Sequence, residues 1–219
     1  MPSDEHVLDR GWEITDPQHL TLYKRAEPKL KTRLNTLHTR IAYHFAVRLL
    51  KEVGGDPEVV IPAILLHDIG WSAIPEDQLD GAFGPTITKP DLHRLHETEG
   101  ARMAAEILEE MACPGQRIQE IREIISGHDT RLVSLGLNDA VVKDADKLFR
   151  YTYEGFTLDY KRFRKTPREN LLWLIESIPK WFFNEISTAL AYQEALKRGK
   201  EYAIVLDGCR DLPAIFQAE

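Results

Sequence analysis

Apolar residues recur every three or four positions along most of the chain, and no stretch alternates with period two for long. That pattern predicts an all-α protein. Thr15-Asp16-Pro17 reads as a helix start, a capping side chain followed by proline in the first turn, with a short helix to about Arg25. Pro28 is expected to open a longer helix whose stripe is Leu30, Leu34, Leu37, Ile41, Phe45 and Leu49, ended by Gly54-Gly55. Asp56-Pro57-Glu58 starts the next. Val59 to Leu66 is apolar on every side apart from Pro62, which marks a central buried helix. Pro62 must then sit in the first turn of a late-starting helix or at a kink. Residues 71–90 carry Pro75, Gly81, Gly84, Pro85 and Pro90 with several acids and read as a long loop of the lid kind.

Further helices are expected from about Asp91 to Met111, from Pro114 to Gly127, and after Asn138 as a cap. Beyond Tyr151 the character changes. Thr166-Pro167-Arg168-Glu169 has the form of a capping box opening an apolar helix. Pro179 should interrupt that helix, with another from about Trp181 to Arg198 and a last short one from Lys200 to Leu206. The organisation expected is a lead-in over 1–27, a helical core over 28–150 and a helical C-terminal extension over 151–219. No internal repeat is visible.

The polar residues that interrupt the apolar faces change the picture. His67-Asp68 ends the run Ala63-Ile64-Leu65-Leu66 and Gly70 follows. Burying two such side chains is costly unless something pairs with them, and a metal ion pairs with both. His38, His96, His128 and Asp146 also lie on or at the end of apolar faces. Each alone reads as a satisfied core residue. Together, four histidines and two aspartates aimed into one core are hard to satisfy by hydrogen bonds, whereas one or two divalent cations satisfy them simply.

Composition narrows the function. Hydrophobic residues make up 43% and charged residues 29% of the 219 residues, ordinary for a globular protein. A net charge of −7 argues against a general nucleic-acid or anionic-membrane binder. The two cysteines, Cys113 and Cys209, form no CxxC pattern, which excludes a cysteine-rich zinc site and fits a reducing cytoplasm. Met1-Pro2-Ser3-Asp4-Glu5 has no basic or apolar leader character, and no apolar run reaches the ~20 residues that span a bilayer, so neither a signal peptide nor a membrane partner is expected.

The order His38, then His67-Asp68, then Asp146 resembles the HD-domain superfamily of metal-dependent phosphohydrolases over about residues 30–150. The contexts Ala63–Gly70 and Val142–Leu148 resemble it too, and His96 and His128 resemble the two extra histidines of its binuclear branch. The resemblance implies a single helical HD-like bundle. It also implies a first metal on His38, His67, Asp68 and Asp146, and a second on His96 and His128, with Asp68 bridging as the catalytic carboxylate. Imidazole with carboxylate suits Fe, Mn, Co, Ni or Zn. The implied reaction is hydrolysis of a small phosphate ester, a nucleotide in the expected case, by a metal-activated water. A mononuclear version, with His96 and His128 contacting phosphate, stays open.

Two other functions also stay open. One is a di-iron oxygenase of the same superfamily acting on a small polar substrate. The other is a nucleotide-binding regulatory domain. Lys89, His93, Arg94, Arg131 and Lys147 are candidates to contact substrate, and Glu76 and Asp77 to relay a proton to the leaving group. The basic stretch from Lys161 to Arg168 reads as solvated surface, and Trp173 and Trp181 as core. A homo-oligomer is compatible with this reading.

Overall fold

A computed structural model describes residues 11–204. Among these, nine α-helices and five short 3-10 turns form one all-helical bundle with no strand. No helix of the described residues is long and apolar enough to cross a membrane.

Helix α1, Pro17–Ala26, starts where Asp16 accepts from the backbone N–H groups of Gln18 and His19. The following helix, α2, spans Asn35–Glu52 and not the expected stretch from Pro28. Two 3-10 turns intervene, Glu27–Lys29 and Thr32–Leu34, and Arg33 and Leu34 both have a φ of 60°. Left-handed backbone costs roughly 1–2 kcal/mol per non-glycine residue. It breaks the helix at the point where the chain turns toward what becomes the functional cleft.

Helix α3, Pro57–Leu66, is the buried centre, capped by Asp56. Pro62 lies inside it, at the one half-buried position between Val59 and Leu66. Against α3 pack α1, α2, α5 (Gly115–Ile125) and α6 (Leu137–Leu148). After α3 a 3-10 turn, Ile69–Ala73, lies on α4, Pro90–Glu110. The contact is backbone to backbone: a Cβ on Gly70 would sit 1.9 Å from the His96 carbonyl oxygen. The expected lid loop has an anchor of its own, since Trp71, Ile74, Leu79 and Ala82 form a small apolar cluster with Phe83 and Leu92.

Helix α6 begins at Leu137, one residue before the expected cap. Asn138 instead ties neighbouring elements, accepting from the Asp56 N–H at 2.8 Å and donating to Glu120 at 2.8 Å. A 3-10 turn, Phe149–Tyr151, leads to α7, Tyr153–Arg162. The Thr166–Glu169 capping box opens α8, Pro167–Trp181. Pro179 does not interrupt α8. It falls in the last turn, and the break comes at Phe182–Asn184, where buried Asp144 of α6 accepts from the N–H groups of Phe183 and Asn184. Helix α9, Glu185–Glu201, runs through Gly199. The short helix expected from Lys200 is therefore the end of α9 as far as it is described; its remainder and Cys209 lie outside the described residues.

Candidate metal centre and cleft

Five elements converge on one point. His38 comes from the first turn of α2, His67-Asp68 from the end of α3, His96 from α4, His128 from the turn after α5, and Asp146 from α6. All are buried except His38, which is half-buried. Three of the imidazoles are oriented in the same way. The Nδ1 of His67 bonds the Ile64 carbonyl, that of His96 the His93 carbonyl and that of His128 the Ile125 carbonyl, each three residues back. An Nδ1–H spent on a carbonyl leaves Nε2 as the inward donor atom, the arrangement that fixes a metal-binding tautomer.

The inward atoms form two groups. His38 Nε2 lies 2.9 Å from His67 Nε2 and 3.1 Å from Asp146 Oδ1. Asp68 Oδ2 is 3.6 Å from both imidazoles. On the other side Asp68 Oδ1 is 3.5 Å from His128 Nε2 and 3.9 Å from His96 Nε2, which are 3.4 Å apart. Ligands at about 2.1 Å from an ion stand roughly 3.0 to 3.4 Å from one another at right-angled to tetrahedral spacing. Both groups are close to that spacing. Two imidazole Nε2 atoms at 2.9 Å repel unless a proton or a cation lies between them, so the donor set suits a metal. Each of the sets His38–His67–Asp68 and Asp68–His96–His128 has its ligand atoms within 4.8 Å of one another.

A third set of this kind, His93–His96–Asp129, was not foreseen in the sequence. Asp129 Oδ2 lies 3.2 Å from His93 Nε2 and 3.6 Å from His96 Nε2. Its signal was available, because His128-Asp129 repeats the adjacent His-Asp pair of 67–68.

The electrostatics follow from two buried carboxylates, Asp68 and Asp146, and half-buried Asp129, set among the imidazoles. Burial alone would raise Asp68, but His67, His128 and His38 hold it far below the usual carboxylate range. Burial pushes His38 down and His96 down to about 3. Burial works the same way on His67 and His128, yet the carboxylates around them win. His67 is raised, chiefly by Asp68, and His128 reaches about 9 through its bond to Asp68 and the charge of Asp129.

Neighbouring side chains lock the frame. Trp71 donates to Asp68 Oδ1 at 3.0 Å and stacks on His96 with centroids 4.0 Å apart. Buried Glu97 accepts from the N–H groups of Asp129 and Thr130, both at 2.9 Å. Lys143 donates to the carbonyls of Gly127, His128 and Arg131. Glu97 and Lys143 thus hold the 127–131 turn from opposite sides, and neither stood out in the sequence.

A cleft of about 170 Å³ opens onto this cluster. Of the substrate-contact candidates, His93 and Lys147 line it. Lys147 bonds Asp129 and, at 2.6 Å, Asp146; although burial opposes it, these two carboxylates raise it above the usual lysine range. Lys89, Arg94 and Arg131 are not brought there. Lys89 donates to the Gln78 carbonyl, Arg94 pairs with Glu97 at 2.6 Å, and Arg131 pairs with Asp139 at 3.1 Å. Arg94 also donates to the Ser126 carbonyl, so it and Arg131 brace the turn after α5 and do not face the cleft. Glu76 and Asp77 are exposed on a separate 3-10 turn, away from the cleft lining.

The cleft also holds three arginines that the sequence does not single out as contacts: Arg33, Arg150 and Arg162. Arg162, within the expected solvated stretch, is half-buried, and the half-buried Trp173 and Trp181 pack against the main core while also lining the cleft.

Comparison with curated proteins and with solved structures returned no match. The family profile described as HD domain matches residues 37–151, which takes in His38, His67-Asp68, His96, His128 and Asp146. That match covers more than half of the 219 residues, and the matched segment supplies the buried histidine–aspartate cluster: the chain belongs to the HD-domain family.

Proposed function

We propose that the protein is a metal-dependent phosphohydrolase that releases phosphate from a small phosphate ester. HD-domain proteins are generally metal-dependent hydrolases. The observation that carries the reading is Asp68. Its two oxygens face two different histidine pairs, the disposition of a carboxylate shared by two cations, and the cluster opens directly onto a cleft lined by basic side chains. His38, His67, Asp68 and Asp146 would hold one divalent ion. His96 and His128, with Asp68 and with Asp129 nearby, would hold a second. Imidazole with carboxylate favours Fe, Mn, Co, Ni or Zn over calcium. When bound, such ions supply a Lewis acid and a water that ionises at a pH of about 7 instead of ~15.7.

The chain's own residues do the rest. The carbonyl bonds at Nδ1 and the Trp71 bond to Asp68 keep the donor atoms aimed before substrate arrives. Lys147 and Arg150 line the cleft that the phosphate would enter, each held in place by its carboxylate partners. Water adds across the P–O bond, giving phosphate and an alcohol. The cleft's volume suits a phosphate with a compact organic body. Larger substrates, nucleotides included, would lay their remainder against Trp173 and Trp181, whose rings meet edge-on at 5.4 Å. Cysteines outside any metal or disulfide motif support a cytoplasmic setting.

The test is phosphate release from a panel of nucleotides and phosphomonoesters with added manganese, cobalt or iron, using Asp68→Ala as the blank. Release that needs both the metal and Asp68 is the expected outcome. Full activity in Asp68→Ala, or no release with any metal, would overturn the proposal. In the second case iron content and oxygen consumption become the next measurement.

A further inference from the structure

Four cations line the cleft, and they divide into two kinds. Lys147 is paired with Asp129 and Asp146, and Arg150 with Asp159 at 2.7 Å. Arg33 and Arg162 make no ion pair with any described residue. The Arg33 guanidinium lies over the Phe83 ring at 3.3 Å and the Trp71 ring at 4.2 Å, and its Nε is buried without a hydrogen-bond partner. Arg162 reaches over the same Phe83 ring at 5.4 Å and donates to the Arg33 carbonyl at 2.9 Å. Two guanidiniums thus meet around one aromatic ring on the wall of a narrow cleft. Burial, above all, lowers Arg33 to about 9; the Asp68 carboxylate pulls the other way, while Arg162 and Arg150 add to the lowering.

A half-buried charge with no ion-pair partner is costly, and a second like charge beside it adds to the cost. The remedy is an anion between them. The guanidinium fork matches a planar or tetrahedral oxyanion in bidentate fashion. Neither residue comes from the part of the chain that matches the family profile. Arg33 precedes residue 37, in the left-handed turn before α2, and Arg162 follows residue 151, at the end of α7. Both therefore lie outside the matched segment, on the two stretches of chain that flank it.

We propose that Arg33 and Arg162 form a second oxyanion subsite. The substrate is then a phosphate ester carrying another anionic group, phosphate or carboxylate, at a fixed distance from the phosphate that is cleaved. Which group is cleaved rests on the phosphohydrolase reading; the subsite itself does not.

Binding without turnover tests this. The full chain, supplied with manganese, is titrated calorimetrically with alkylphosphonates, with α,ω-alkane bisphosphonates of increasing length, and with ω-phosphonocarboxylates. A charge-assisted hydrogen-bonded contact is worth roughly 10- to 150-fold in affinity. One chain length of doubly charged ligand should therefore bind at least about tenfold tighter than its singly charged counterpart. A gain with bisphosphonates alone identifies the second group as phosphate; an equal gain with phosphonocarboxylates extends it to carboxylate. Both support the subsite. The ratio should fall to near one in Arg33→Gln and in Arg162→Gln, with partial recovery in Arg33→Lys. Melting curves identify any variant that fails to fold, and the two sites serve as independent checks. The proposal is overturned if no length improves on the singly charged ligand, or if the glutamine variants weaken single and double ligands equally. Phosphate release without this gain sinks the subsite alone. The gain without phosphate release on any substrate sinks the hydrolase reading alone.

Discussion

Gly70→Ala is the smallest change that should disable the site without touching a polar side chain. The 3-10 turn after His67-Asp68 rests on α4 so closely that the new methyl would stand 1.9 Å from the His96 carbonyl oxygen, 2.4 Å from the Gly100 nitrogen and 2.8 Å from the Gly100 Cα. Cβ atoms essentially never approach closer than 3.0 Å, so the turn and α4 must separate by about 1.1 Å, the difference between 3.0 and 1.9. All three obstructing atoms are backbone, and no rotamer change relieves them. The cost lies at the upper end of the 1–3 kcal/mol typical of overpacking, about 3 kcal/mol. For a chain of this size that lowers the melting temperature by roughly 6–12 °C.

The separation also acts on chemistry, because Asp68 and His96 sit on the two sides being forced apart. A misplacement of about 1 Å can cost on the order of a hundredfold in rate. The assay combines thermal melting, metal content after loading, and phosphate release. Two other glycines are controls. At Gly100 the nearest atom to a new Cβ is the His67 oxygen at 3.2 Å, a contact that a few tenths of an ångström relieve. At Gly115 nothing lies within 4 Å, and alanine in a first turn should be neutral or stabilising. The expected order of damage is Gly70→Ala, then Gly100→Ala, then Gly115→Ala. Wild-type melting and metal content in Gly70→Ala would refute the reasoning.

Two further predictions concern the cluster. His128→Ala should lower metal stoichiometry more than it lowers the melting temperature, and unchanged stoichiometry would favour a mononuclear centre. In metal-free protein His128 is held at about 9 against an unfolded value near 6.5. The stability this shift contributes is fully present below about 6.5 and is lost as pH rises through about 9. Melting with a chelator present should therefore decline between pH 7 and 10, while metal affinity rises over the same range because binding must expel that proton. A flat melting profile in the chelated protein would count against the assignment.

What was legible in the sequence was whatever depends on local periodicity. The apolar run before His67 announced the buried helix, and the histidines that extend other apolar stripes did arrive at one place. What was not legible depends on conformations that propensity disfavours or on contacts between distant segments. Nothing in Arg33-Leu34 signals left-handed backbone, so the expected start of α2 at Pro28 lies seven residues before the observed one at Asn35. Pro179 looked like a breaker, yet the chain leaves α8 only at Phe182, where Asp144 takes up the next N–H groups. Arg162 resembled a surface charge because its partner carbonyl, on Arg33, lies 129 residues away. Asp129 was the exception. Its signal is local, because His128-Asp129 repeats the His67-Asp68 dipeptide.

The ends of the helices add a reason for the site to lie where it does. Helix α3 ends at Leu66 and α5 at Ile125, so both present their C-termini to the cluster. A helix C-terminus carries roughly −0.5 of an elementary charge and carbonyls without intrahelical partners. His67 and His128 bond carbonyls in those last turns, which satisfies the helix ends and turns each Nε2 inward in a single contact. Lys143 takes up the carbonyls just beyond α5. On the opposite side α2 begins at the cleft wall, with Asn35 among the lining residues and His38 in its first turn, and His93 projects from the first turn of α4. The polarity is therefore built into the packing. The C-terminal ends of α3 and α5 face the buried histidine–aspartate cluster, while the first turns of α2 and α4 lie along the cleft wall that also carries the guanidiniums.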